Sequence, residues 1–332
     1  MKKQNISVKE IAELAGTSTA TVSRVLNRNG RYSKDTEQRV LEVVKKTGYR
    51  RNELARGLRA SNSNLVGILV PDITNVFYAS LVKVIQDALL KDKIVALACN
   101  TNEDHEQAKR FVRIFEDHNA DGIIYIGNND LTRLPHLPVM YVDRDPRAEM
   151  DVGDQNYAMI ECDNILGGYL AGKELVRKGC REFVYAAYRL EISTHQKRLQ
   201  GFRQALQEAG MDIPEDHILD AQWSSMKEGY KLMRQAYEKF PGTDGVFFAA
   251  DSLAVGALQF LNRHGISVPK RVKLVGFDDA GMCEVMNLTT VRQPVDEIGQ
   301  LAAERIIQMI AGEKISMKRQ RLPVELIVRG TT

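Results

Sequence analysis

The chain has 332 residues, room for about two domains, and its 44% hydrophobic and 27% charged content is that of a soluble globular protein with a full core. The net charge of +3 conceals an asymmetry: residues 1–60 hold 14 Lys and Arg against 6 Asp and Glu, net +8, while the remainder holds 32 against 37, net −5. One end suits a polyanion and the rest does not, and no apolar run nears the ~20 residues of a membrane span.

Met1-Lys2-Lys3-Gln4-Asn5 carries charge but no apolar stretch behind it, so a secretion signal is not expected. Cys99, Cys162, Cys180 and Cys283 stand singly, without metal-ligand or redox spacing. A cytoplasmic protein with reduced thiols, no metal and no cofactor is expected.

Residues 6–47 read as three short helices. In the first, Val8, Ile11, Ala12, Leu14 and Ala15 share a face, and Gly16 ends it with the positive φ that such positions favour. Ser18 is placed to cap the second helix, whose buried stripe is Val22, Val25 and Leu26. Ser33 is placed to cap the third, with Asp35 and Glu37 near its positive end. Val40, Leu41, Val43 and Val44 would bury that helix, and Gly48 would end it.

Two helices joined by a short turn with Gly make a helix-turn-helix pattern. The outer faces of the second helix hold Thr19, Ala20, Ser23, Arg24 and Asn27, where a solvated helix would carry several Glu and Lys. Arg can pair bidentately with guanine, and Thr or Ala can touch a thymine methyl. Ser18 and Asn27 stand at the helix ends, where short polar groups reach phosphates.

The run from Val8 to Asn27, VKEIAELAGTSTATVSRVLN, resembles the N-terminal signature of the LacI/GalR transcription regulators over twenty residues. The resemblance implies that Thr19, Ala20 and Arg24 read bases and that Ser18, Thr21, Asn27 and Ser33 hold phosphates.

Residues 50–62 follow, with Leu54 and Leu58 one helical turn apart and four arginines, Arg50, Arg51, Arg56 and Arg59. Such a segment is below the ~12–15 residues at which an isolated helix becomes stable, and Gly57 weakens it by about 1 kcal/mol more. It is expected to be a charged linker without DNA and to fold where phosphates screen its arginines. The resemblance makes it the hinge helix, with Asn52, Ala55, Arg56 and Leu58 against DNA and Leu58 as the minor-groove wedge. Arg51 stands where the family usually has proline, which removes a preset helix start.

From residue 65 short apolar runs alternate with amphipathic helices. Leu65–Val70, Ile94–Cys99 and Gly122–Ile126 begin 29 and 28 residues apart, the repeat of a βαβ unit. Val139–Val142 follows. A second series comprises Phe183–Ala187, Ile218–Ala221, Gly245–Ala249 and Val272–Phe277. Continuous apolar strands indicate parallel sheets covered on both faces. The expected fold is α/β: a three-helix headpiece and hinge helix, then a two-lobed core of doubly wound parallel sheets.

The resemblance extends along the chain, through Leu65 to Asn75, Pro138 to Arg144, Gly276-Phe277-Asp278-Asp279 and Leu288 to Pro294. It implies a core similar to periplasmic sugar-binding proteins. The boundaries expected are 1–49 for the headpiece and 50–62 for the hinge. The first subdomain would span 63–160 plus about 295–318, and the second 161–294 plus about 319–332, with a final strand Glu325–Val328.

Ligands of such sheets bind beyond the carboxyl ends of the strands. Asp72, Asp143, Arg144, Asp251, Asp278 and Asp279 follow strand ends here. Carboxylates accept from sugar hydroxyls, Arg donates in a planar fork, and Trp223 offers a face for a pyranose. The resemblance adds Arg198 and Gln293, and Ile73 with Phe77 as a wall. The expected effector residues are Ile73, Phe77, Asp143, Arg144, Arg198, Trp223, Asp251, Asp278 and Gln293. Ala250 and Val76 depart from the family pattern, and the first removes a hydrogen-bonding group from the pocket.

An enzyme is not expected: G-x-G-x-x-G after the first strand, Walker Gly-Lys-Ser, G-x-S-x-G and H-E-x-x-H are all missing. A homodimeric regulator of carbohydrate-utilisation genes, bound to pseudo-palindromic double-stranded operator DNA and controlled by a sugar or sugar phosphate, accounts for both ends of the chain. A catabolite-control-type regulator with a phosphorylated protein partner is the alternative. A sugar-binding transport component is less expected, because no export signal is read at the N-terminus.

Overall fold

The computed structural model describes residues 6–49, 63–127, 131, 137–144 and 157–332. The chain divides into two units, Met1–Ser63 and Asn64–Thr332. The expected hinge residues Asn52, Ala55, Arg56 and Leu58 lie outside the described residues.

The first unit holds α1 (Val8–Leu14), α2 (Thr19–Asn27) and α3 (Lys34–Thr47). Each begins at a serine. Ser7 and Glu10 form a reciprocal capping box, Ser18 Oγ accepts from Thr21 N at 3.1 Å, and Ser33 Oγ accepts from Thr36 N at 3.2 Å. Such caps contribute about 1 kcal/mol each, which matters for helices this short. Ile11, Ala12, Ala15, Val22, Val25 and Val40 form the core. Gly16 and Gly48 have φ of +61° and +64°, the left-handed geometry expected of them. Leu14 and Leu41, expected in the core, are 61% and 49% exposed. Leu14 sits in the last turn of a seven-residue helix. Leu41 follows buried Val40, a rotation of about 100° away from the core.

The second unit contains two six-stranded sheets. The first is built from β1 (Leu65–Val70), β2 (Val95–Asn100), β3 (Gly122–Tyr125), β4 (Val139–Val142), β5 (Tyr157–Cys162) and β11 (Arg319–Leu322). Its order is β11-β5-β4-β3-β1-β2, parallel throughout. The second holds β6 (Phe183–Tyr188), β7 (Ile218–Ala221), β8 (Gly245–Phe248), β9 (Lys273–Asp278), β10 (Thr290–Arg292) and β12 (Glu325–Ile327), in the order β12-β10-β9-β8-β6-β7. Only its β10–β12 pair is antiparallel.

Helices cover both faces of each sheet. The first carries α4 (Val76–Lys91), α5 (His105–Asp117) and α11 (Val295–Ile310). The second carries α6 (Asn164–Arg177), α7 (Ser193–Glu208), α8 (Met226–Lys239) and α9 (Asp251–Arg263), with the short α10 (Met282–Val285) beyond β9. Alternate residues of one strand therefore enter different core layers. Val66, Ile68 and Val70 pack with Phe77, Leu81 and Ile85 of α4, while Leu69 packs with Val112 and Phe115 of α5. Each fully buried side chain of this kind contributes roughly 1.5–3 kcal/mol.

Three strands are absent from the expected set: β5, β10 and β11. β11 reads Arg-Gln-Arg-Leu and lies at a sheet edge, where only one residue need be buried. It pairs with β5 in the first sheet, so the return segment runs to Leu322, past the expected limit near 318. The chain thus passes between the sheets after β5, after β10 and after β11, and the carboxyl ends of β1, β4, β6, β8, β9 and β10 meet around one cleft.

Candidate DNA-binding face and ligand cleft

On the headpiece, Ser18, Thr19, Ala20, Ser23 and Arg24 are exposed on and before α2. Val22 and Val25 anchor the opposite side. Thr21 is half-buried, its hydroxyl 2.9 Å from Ser18 Oγ. Ser33 is exposed at the start of α3, and Asn27 ends α2. The arrangement leaves one arginine and small polar or methyl-bearing groups on the open face of a helix anchored by its apolar stripe.

The cleft is built at strand ends. Asp143 follows β4 with φ of +68°, Asp278 closes β9 at +121°, and Asp279 follows at +57°. Left-handed backbone at non-glycine residues costs of order 1–3 kcal/mol and clusters at ligand sites. Asp143 and Asp278 line a small cavity of about 10 Å³ together with Phe77, Arg198 and Gln293. Arg198 reaches it from α7, and Gln293 from the end of β10. The space is that of a single water, so the lobes are closed on one another.

Arg198 is 3% exposed. Its Nε donates to Asn164 Oδ1 at 2.7 Å and its Nη1 to the Ala249 carbonyl at 2.6 Å. The guanidinium lies 3.5 Å from the centre of the Phe277 ring, a cation–π contact in a desolvated site. Burial raises the Asp143 carboxyl above the usual carboxylate range, opposed by Arg198 and Arg144. Burial raises Asp278 further, with Arg198 opposing and Asp251 reinforcing the shift. Gln293 Nε2 donates to Asp278 Oδ1 at 2.8 Å. His195 is held far below the ordinary imidazole range by burial and by Arg198 and Arg144. Asp143 Oδ1, His195 Nδ1 and Gln293 Oε1 are buried without a hydrogen-bond partner among the described residues.

The remaining expected residues fall elsewhere. Arg144 is fully buried but committed: Nη1 donates to both Glu103 carboxylate oxygens at 2.8 Å. Its Nη2 donates to the hydroxyls of Tyr78 at 2.6 Å and Tyr188 at 2.9 Å. Asp251 is also committed, accepting from Thr290 Oγ1 at 2.6 Å and from the Ala280 N–H at 2.9 Å. It joins α9, β10 and the loop after β9, and does not line the cavity. Ile73 is 40% exposed, and its N–H donates to Asn100 Oδ1 at 2.8 Å. Trp223 is 46% exposed and lines a separate outer space of about 140 Å³ with Asp72 and Glu103. Asn75, Tyr78 and Tyr188 border both spaces.

Sequence reasoning passed over Asn75, Tyr78, Tyr188, Thr194 and His195. Tyr188 ends an apolar strand and carried a usable signal, since its position matches those of Asp143 and Asp278. Asn75, Tyr78, Thr194 and His195 stand at helix starts and resemble caps or core. Among the described residues no group of His, Cys, Asp and Glu is placed to hold a metal ion, and no helix is long and apolar enough to cross a membrane.

The family model for bacterial regulatory proteins of the lacI family matches residues 7–52, and that for a periplasmic binding protein-like domain matches residues 173–332. The HTH-type transcriptional regulator RegA of Clostridium saccharobutylicum is 31% identical over 330 residues, covering 98% of this chain and 99% of its own length. The ribose operon repressor of Halalkalibacterium halodurans is 28% identical over 335 residues, covering 98% and 97%. A LacI family transcriptional regulator from Enterococcus faecium, solved with bound ribose, superposes with a TM-score of 0.71 at 27% identity, covering 81% of this chain and 98% of that one. With a helix-turn-helix headpiece ahead of a two-lobed cleft, and a regulator matched along nearly its whole length, the chain belongs to the LacI family of bacterial transcription regulators.

Proposed function

We propose that the protein binds a pseudo-palindromic operator as a homodimer and that a small carbohydrate held between its lobes sets its affinity for that DNA. The single observation carrying this reading is the convergence of Phe77, Asp143, Arg198, Asp278 and Gln293 on one buried cavity between the lobes. The genes controlled would serve carbohydrate use, and the ligand would be bound rather than converted. The site of action would be the cytoplasm, where the DNA is.

In this reading Thr19, Ala20 and Arg24 read bases in the major groove, and Ser18, Thr21, Asn27 and Ser33 hold phosphates. Asn52, Ala55, Arg56 and Leu58 supply the hinge contacts on sequence grounds alone. Half-exposed Val95 and Leu97 on edge strand β2, with exposed Leu90 nearby, give an apolar surface suited to a second copy. Arg144 and Asp251, whose side chains bond within the protein, would support the site, and Ile73 lies outside the cavity lining.

Arg24→Ala tests the DNA side. Measured against operator variants, it should cost about 1–3 kcal/mol and relax preference at one base position. Equal weakening on every sequence would restrict Arg24 to phosphate contact.

A further inference from the structure

We propose, resting on the reading of this cleft as the carbohydrate site, that it admits only an uncharged polyhydroxy compound and excludes the phosphorylated form of the same sugar. Two arginines in and beside the cleft could receive a phosphate. Arg144 is neutralised by both oxygens of Glu103 and closed off by two tyrosine hydroxyls. Arg198 has two of its donors occupied by Asn164 and Ala249, and its face is covered by Phe277. Burial pushes the Asp143 and Asp278 carboxyls upward, and Arg198 opposes that shift at each, so its charge is turned toward groups already on the wall.

The wall also offers unpartnered acceptors. Asp143 Oδ1 and Gln293 Oε1 are buried and unpartnered among the described residues, and Asp143 and Gln293 are 4% and 3% exposed. A buried acceptor without a donor is costly, and a sugar hydroxyl supplies the donor at no cost in charge. A phosphate brings only acceptors and negative charge to this wall. A phosphate on an extended ligand fares no better at the outer space, where Asp72 and Glu103 stand in the lining.

The test uses the full-length protein and a panel of ribose, xylose, glucose and galactose, each with its terminal phosphate ester, by thermal shift and calorimetry. At least one free sugar should bind, and its phosphate ester should bind about 100-fold more weakly, as burying a phosphate among acceptors without a free cation requires. Asp143→Asn keeps the shape and one acceptor, and replaces the other carboxyl oxygen with an N–H donor that a phosphate can use. It should narrow the gap between sugar and ester about tenfold, whereas a purely structural role would weaken both equally and leave the gap unchanged. An ester that binds wild type as tightly as its parent, with both lost in Arg198→Ala, would overturn the charge filter and leave the cleft reading standing. Binding of none of the eight compounds would overturn the carbohydrate reading and the filter with it.

Discussion

Arg144 and Arg198 are both buried beside the cleft, only Arg198 lines it, and their partners separate their roles. Glu103 meets Arg144 from a turn where Asn102 and Glu103 have φ of +53° and +57°. The ion pair is buried, with Glu103 10% exposed at its side chain. Removing one member of such a pair leaves an uncompensated charge and costs about 3–5 kcal/mol. Because Nη2 of Arg144 also reaches Tyr188 in the second lobe, the pair fastens the closed cleft. Asp251 offers a sharper titration. Burial lifts its carboxyl from 3.8 to about 6, although Cys283, Thr290 and the Ala280 N–H partly offset this. Between those pH values the folded protein holds a proton that the unfolded chain has released, so stability from this group falls as pH rises. The loss approaches roughly 3 kcal/mol. Asp251→Asn has no such titration, so denaturant unfolding at pH 4 and pH 7 should show wild type losing ground to the variant as pH rises. A pH-independent difference would contradict it.

Helices α6 and α7 cross where Gly168 and Gly201 allow backbone to touch backbone. A Cβ at Gly201 would lie 1.8 Å from the Ile165 carbonyl oxygen, and one at Gly168 would lie 1.8 Å from the Arg198 carbonyl oxygen. The crossing therefore sets where α7 delivers Arg198. Gly201→Ala must push the helices apart, at a cost of about 1–3 kcal/mol for overpacking. Its ligand affinity should fall at least tenfold as Arg198 leaves Asn164 and Ala249. Unchanged affinity in a destabilised but folded variant would separate the crossing from the site. Elements of this kind were unevenly legible. The two runs Leu65–Val70 and Val139–Val142 matched their strands because both faces of each are covered. β11 was not legible, since charged and polar residues interrupt its apolar pattern and sheet neighbours supply the rest. The same distinction holds in the cleft. Asp143 and Asp278 stand out as charges after apolar runs. Arg144 looked equally available, because its partner Glu103 is a tertiary contact 41 residues away. His195 looked like core and lines the site.

In the whole molecule, the +8 and −5 segments correspond to a unit that meets DNA and a unit that senses a ligand. A regulator needs the two to be energetically coupled, and by linkage whatever the ligand does to DNA affinity, DNA does to ligand affinity. Operator affinity at fixed salt, with and without a saturating sugar, reads that coupling directly. The operator would be the pseudo-palindrome obtained by in vitro selection. Wild type should change its affinity by about 5–150-fold on ligand addition. Arg198→Ala should keep the ligand-free affinity and lose the response. A sugar that occupies the wild-type cleft and leaves operator affinity unchanged would contradict control of DNA binding from this site.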